Sequence, residues 1–208
     1  MAIVGKYNAH IKGNTFKNMD EIPYKIISFM IENNQNIFKL LKYSNSDTPL
    51  EEKDLTVDEK IDMIYKGGSH AEDYNIFLQP SMDDAVTKPS CQLRLYQNVT
   101  FPENEMISLV TYNIELICHN KINTIRKFVG EEGNENSIVT TRLATMQMEV
   151  LNLLHQAEIG GVGGLFFENS NSNRQCQARL NISNNKDYFG YTCVLALRLG
   201  SAKNKSYR

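Results

Sequence analysis

Two long runs of alternating apolar and polar residues constrain this chain more than any other feature. In residues 107–118, Val110, Tyr112, Ile114, Leu116 and Cys118 share one parity, and Thr111, Asn113 and Glu115 take the other. In residues 188–199 the same alternation groups Phe189, Tyr191, Cys193, Leu195, Leu197 and Leu199. Successive side chains of a strand point to opposite faces. A period of two therefore gives one face to a core and leaves the other for solvent or a partner. Residues 91–96 and 165–167 read as further strands. Between them, Leu143, Met146, Val150 and Leu154 recur at helical spacing over residues 138–156 and predict a buried stripe. The cluster Gly160-Gly161-Val162-Gly163-Gly164 follows and reads as a helix stop and tight turn into the next strand. Strand, strand, helix, strand, strand predicts an α+β fold: a mixed, mainly antiparallel sheet with a helix packed on one face.

The first third reads as helical. Residues 1–19 scatter apolar residues among glycine and asparagine and read as an arm. Asp20 is the expected N-cap, with Pro23 in the first turn, where its missing N–H is harmless. Ile22, Ile26, Phe29 and Met30 mark one helix, and Ile37, Leu40 and Leu41 a second. Asn33-Asn34-Gln35-Asn36 separates them. After a polar connector at 44–56, a third helix is expected over 57–66, with Val57, Ile61 and Ile64 on one face and Gly67-Gly68 as its end. Ile76-Phe77-Leu78 reads as a short strand. Residues 81–90, 130–136 and 169–186 read as polar loops, the last long enough to suggest a functional role. The chain thus divides into an N-terminal arm and helical region at 1–70 and an α+β domain at 71–208, together forming one compact unit.

Composition narrows the function classes. A chain of 208 residues can bury a core without disulfides or metal. The net charge is −2, and no long cationic block offers the clustered charge that sequence-independent nucleic-acid binding needs. Cys91, Cys118, Cys176 and Cys193 form no C-x-x-C pair, so a zinc ribbon or dithiol redox motif is not expected. Cysteines in or beside strands usually serve as small buried hydrophobes. Residues 1–11 lack the apolar core of a signal peptide. No run approaches the roughly 20 apolar residues of a membrane helix. These readings favour a reducing cytosol, or a particle assembled there, with no membrane.

No site motif emerges. Phosphate-binding glycine loops precede a helix, whereas the 160–164 cluster follows one and would face helix carbonyls. His10, His70, His119 and His155 form no H-x-x-x-H pair, and the adjacent Cys118 and His119 belong to opposite strand faces. The carboxylate pairs Asp83-Asp84, Glu131-Glu132, Glu51-Glu52 and Asp58-Glu59 sit in polar context and read as solvated. Arg198, Lys203, Lys205 and Arg208 read as a solvated basic end. The expectation is no enzyme, with no catalytic, cofactor-binding or metal-binding residue and no cofactor.

The helical start, the hairpin carrying Arg94-Leu95-Tyr96-Gln97 and residues 112–118, and the helix opening at Thr140-Thr141-Arg142 have a counterpart. With Gly163-Gly164-Leu165-Phe166-Phe167 and Phe189-Gly190-Tyr191, this set resembles the tail-terminator and neck (head–tail joining) proteins of tailed bacteriophages over residues 90–200. The resemblance implies a structural virion protein at the head–tail junction whose 71–208 domain builds a homo-oligomeric ring, a hexamer. Such a ring terminates the tail or joins it to the neck. Its implied partners are further copies of itself, adjacent neck and tail proteins, and DNA passing transiently through the lumen. Its implied location is the virion, after assembly in the host cytoplasm. The alternatives are a head-closure or adaptor protein of the neck, or a soluble non-viral ligand-binding α+β module using the 107–118 sheet face.

Overall fold

The computed structural model describes residues 19–68, 70–80, 89–102, 107–130, 136–160, 162–167, 176–180 and 187–200. Helix α1 (Ile22–Asn33) buries Ile22, Ile26, Ile27, Met30 and Ile31 along one side. Asp20 is not its cap. It lies inside a 3-10 turn, Met19–Glu21, and the residue before the helix, Glu21, makes no side-chain capping bond. Pro23 in the first turn removes one of the N–H groups a cap would have served. Asn34 breaks the helix by turning extended, and its Oδ1 accepts from the Ile37 N–H at 2.7 Å. Helix α2 (Asn36–Lys42) starts there and buries Ile37, Phe38, Leu40 and Leu41.

Helix α3 (Val57–Ile61) opens on a full capping box, in which Thr56 and Glu59 bond each other's backbone N–H. It is half the length expected. The chain leaves the helix because Ile64 bridges in parallel to Ile76, and the Met63 carbonyl accepts from the N–H groups of Asn75 and Ile76. Val57 is half-exposed, not part of a buried face, and Gly67 and Gly68 turn the chain with positive φ well beyond the helix end.

Strand β1 (Ile76–Phe77) runs parallel to β2 (Cys91–Pro102), and β2 pairs antiparallel with β3 (Ile107–His119). The chain then builds a separate two-stranded ribbon from β4 (Thr124–Val129) and β5 (Asn136–Thr141) before helix α4 (Arg142–Leu154). Strands β6 (Glu158–Ile159), β7 (Gly163–Phe167), β8 (Cys176–Leu180) and β9 (Tyr188–Gly200) follow, giving the order β1-β2-β3-β9-β7-β6. The far edge of β9 is shared, with β7 against residues 195–197 and β8 against residues 189–193. This is the α+β fold and mixed, mainly antiparallel sheet that the alternation predicts.

Thr141 caps α4 by accepting from the Ala144 N–H. Leu143, Met146, Val150 and Leu154 are all fully buried. Together with α1 and α2 they cover the sheet face of Leu93, Leu95, Val110, Tyr112, Ile114, Leu116, Leu195 and Leu197, and one buried cluster runs from Ile22 to Leu197. Three expectations about this part of the chain fail. Residues 138–141, expected to open the helix, are the end of β5, and α4 begins only at Arg142. The glycine cluster does not stop the helix: Gln156 takes the left-handed conformation (φ 62°), and its N–H donates to the Leu165 carbonyl. The glycines instead turn the β6–β7 hairpin, where Ile159 pairs with Gly163. The 169–186 segment, expected to be loop throughout, contributes β8 because β9 offers it an open edge.

Candidate interaction surface

The second sheet face, expected to meet solvent or a partner, is largely buried within the chain. Gln92, Arg94, Thr111, Asn113, Glu115 and Thr192 are each less than a tenth exposed. Strand register explains how most of them are satisfied, while the buried Thr192 hydroxyl has no hydrogen-bond partner among the described residues. Arg94 lies opposite Glu115, and Tyr96 opposite Asn113. The Tyr96 hydroxyl donates to Glu115 Oε1 at 2.8 Å and accepts from Asn113 Nδ2 at 3.2 Å. Arg94 donates to Gln92 Oε1 and to the Pro80 carbonyl. Buried polar groups are tolerable when bonded in this way. A ligand approaching the 107–118 face would meet a closed hydrogen-bonded layer.

Among the described residues, exposed apolar side chains gather on the β4–β5 ribbon. Its base is anchored: Ile125 is buried, the Arg126 N–H donates to the Asp47 carbonyl, and Asn123 accepts from the N–H groups of Arg142 and Leu143. Beyond that base it leaves the sheet. Register puts Arg126 opposite Val139 and Phe128 opposite Ser137 on one side, and Lys127 opposite Ile138 and Val129 opposite Asn136 on the other. Both sides therefore carry apolar residues, and Phe128, Val129, Ile138 and Val139 are 41, 37, 43 and 71% exposed. An isolated two-stranded ribbon is marginal in water, and contiguous exposed apolar residues usually mark a contact surface. The local strand signal here is the β-branched run Ile138-Val139-Thr140-Thr141, since Arg126-Lys127 interrupts any alternation in β4.

Three buried cations hold the scaffold behind the ribbon. Arg142, fully buried, donates through Nε to the Ile122 carbonyl at 2.9 Å, through Nη1 to Leu40 at 2.8 Å and through Nη2 to Ser46 at 2.9 Å. Lys60 donates to the carbonyls of Ile31 and Asn34 at the C-terminus of α1, where the helix dipole favours a cation. It also lies over the Phe38 ring. Burial pulls its ammonium below the ordinary lysine value, with Asp54 opposing. Lys39 bridges Asp54 at 2.7 Å and the Leu50 carbonyl.

The residues weighed as sites stay apart. His119 is buried edge-on to Tyr188, and its Nδ1 accepts from the Lys121 N–H, while Cys118 lies in the core on the opposite face. His155 stacks on Phe167, and His70 sits 3.5 Å from Glu72. Glu59 serves the capping box, while Glu51 and Asp58 are exposed. The Arg198 guanidinium lies over the Phe166 ring. Among the described residues no three of His, Cys, Asp and Glu gather to hold a metal ion, and no helix is long and apolar enough to cross a membrane. His10, Asp83-Asp84, Glu131-Glu132, the 1–18 arm, residues 81–88, and the tail residues Lys203, Lys205 and Arg208 lie outside the described residues.

The YomW family profile matches residues 34–197, well over half of the sequence, and the chain belongs to that family. The family name is that of a Bacillus phage gene product, which makes this a phage-associated protein. No curated protein and no solved structure matches the chain.

Proposed function

We propose that this chain is a structural virion protein of a tailed bacteriophage at the head–tail junction, where six copies form a ring that terminates the tail or joins it to the neck. Three features support the reading: membership of a phage-associated family, an α+β scaffold whose second sheet face is closed, and the projecting β4–β5 ribbon. The ribbon carries it. A ribbon with Phe128 and Val139 on one side and Val129 and Ile138 on the other gains stability only when a neighbour covers it. In a ring, that neighbour is the next copy or the adjoining neck or tail protein. DNA passes through the lumen without tight binding, in keeping with a net charge of −2.

Negative-stain microscopy and light scattering of the purified protein test the ring, and gold-labelled antibody on parent particles tests its place. Rings in solution and label at the neck are the expected results. The double variant Phe128→Ser/Val139→Ser should lower the assembled fraction at least tenfold while its melting temperature stays near wild type. A protein that stays monomeric at high concentration, or label confined to the capsid or the tail tip, would refute the proposal. Submicromolar binding to duplex DNA at physiological salt would instead point to a dedicated DNA binder.

A further inference from the structure

Cys91 and Cys118 face each other across β2 and β3, with their sulfurs 2.8 Å apart. The neighbouring pair defines the geometry. The His119 N–H donates to the Ser90 carbonyl at 3.1 Å, so Ser90 and His119 occupy a hydrogen-bonded position of the ladder. The next pair along, Cys91 and Cys118, therefore occupies a non-hydrogen-bonded one. At such positions the Cα atoms lie about 4.5 Å apart and side chains approach most closely. That spacing falls inside the range disulfides bridge, about 4.4–6.8 Å. Both cysteines are free thiols and fully buried. The third described thiol, Cys193, pairs in register with Ile114 on β3 and lies away from both.

We propose that Cys91 and Cys118 form a redox modification site, oxidised by hydrogen peroxide to a disulfide that ties β2 to β3. One thiolate attacks a peroxide oxygen, the O–O bond breaks, and the displaced hydroxide takes up a proton to leave as water. The resulting sulfenic acid is attacked by the second sulfur, which forms the S–S bond and releases a second water. Two thiols lose two hydrogens and two electrons, and one peroxide is reduced to two waters. Peroxide is small enough to reach a buried pair through local opening, where a bulkier oxidant would have to displace the core. Burial pushes the Cys91 thiol well up, with Cys118 reinforcing the effect and Arg142 opposing it, so reaction is slow. In a reducing cytosol the pair stays as thiols, and the bridge forms after exposure to an oxidising medium. It closes a loop across 27 residues of separation just before the ribbon, whose base follows directly from β3.

The test uses the full chain, incubated with peroxide, then denatured, alkylated and mapped by mass spectrometry. The expected result is loss of two alkylatable thiols and a linked peptide joining Cys91 to Cys118, reversed by dithiothreitol. The oxidised protein should melt about 5–15 °C higher. Cys193→Ala should still cross-link. Cys118→Ser and Cys118→Ala should show neither link nor shift, and the wild-type mapping stands even if both variants fold poorly. Four alkylatable cysteines after oxidation, sulfinic or sulfonic products without a link, or a link joining Cys91 or Cys118 to Cys176 or Cys193 would each overturn the proposal.

Discussion

Replacing Arg142 by methionine should destabilise this protein more than any surface change, and its hydrogen bonds set the size of the effect. The guanidinium is fully buried, and its donors serve three main-chain carbonyls: Ile122 before the ribbon, Leu40 in α2 and Ser46 in the connector. Each bond to a charged donor is worth about 1.5–3 kcal/mol, while burying the ion costs several kcal/mol. The intact clamp therefore contributes little net stability. Its loss is different, because methionine fills the volume but donates to none of the three. Water can reach the partly buried contacts at Ile122 and Ser46, whereas Leu40 is left in the dry core. Each buried carbonyl left without its donor costs about 1–3 kcal/mol, the two wetter ones at the low end, so the loss comes to about 3–5 kcal/mol. For a chain of this length that lowers the melting temperature by roughly 6–20 °C. Arg142→Lys retains one or two bonds and should lose about half as much. Circular-dichroism melts and urea titrations of both variants give the numbers. An Arg142→Met protein within about 1 kcal/mol of wild type would refute the clamp.

Val150→Asp puts an unpaired carboxylate into the stripe that α4 buries against the sheet, which should cost about 3–5 kcal/mol in a denaturant titration. Thr56→Ala removes the oxygen that accepts from the Glu59 N–H and should cost about 1 kcal/mol, read as a small shift in midpoint at unchanged slope. Burial raises the Tyr112 hydroxyl to about 12 and raises Tyr188 as well, so both should titrate after the exposed tyrosines in a phenolate-absorbance titration. A folded-state value above the unfolded one means the contribution is complete below the ordinary tyrosine value, about 10. Stability should then fall as pH rises from there through the folded value.

Readable features of this sequence were those carried by periodicity, and the misread ones depend on partners far along the chain. The alternation in β3 and β9 and the 3.6-residue stripe Leu143, Met146, Val150, Leu154 assign strand, helix and core face without knowledge of any neighbour. Gly160–Gly164 shows the limit: glycine suits a helix C-terminus and a hairpin turn equally, and only the Ile159–Gly163 pairing decides between them. Residues 124–129 carry no clean alternation, because Arg126 and Lys127 sit side by side between Ile125 and Phe128, and pairing with β5 is what reveals the ribbon. Sequence alone leaves Glu115 and Asn113 to solvent or a partner because their polarity is local information, while their satisfaction by Tyr96 and the Arg94 register is not. Arg142 is the extreme case, since Leu40 and Ser46 lie 102 and 96 residues away and leave no local trace. The same asymmetry bears on assembly. A polar residue can be buried by a partner within the chain, but Phe128, Val129, Ile138 and Val139 stay 37 to 71% exposed in the fold described. Polarity alone does not mark a surface, and apolarity alone does not mark a core. Among the described residues the ribbon exposes Phe128, Val129, Ile138 and Val139, while Gln92, Arg94, Asn113 and Glu115 of the sheet lie buried.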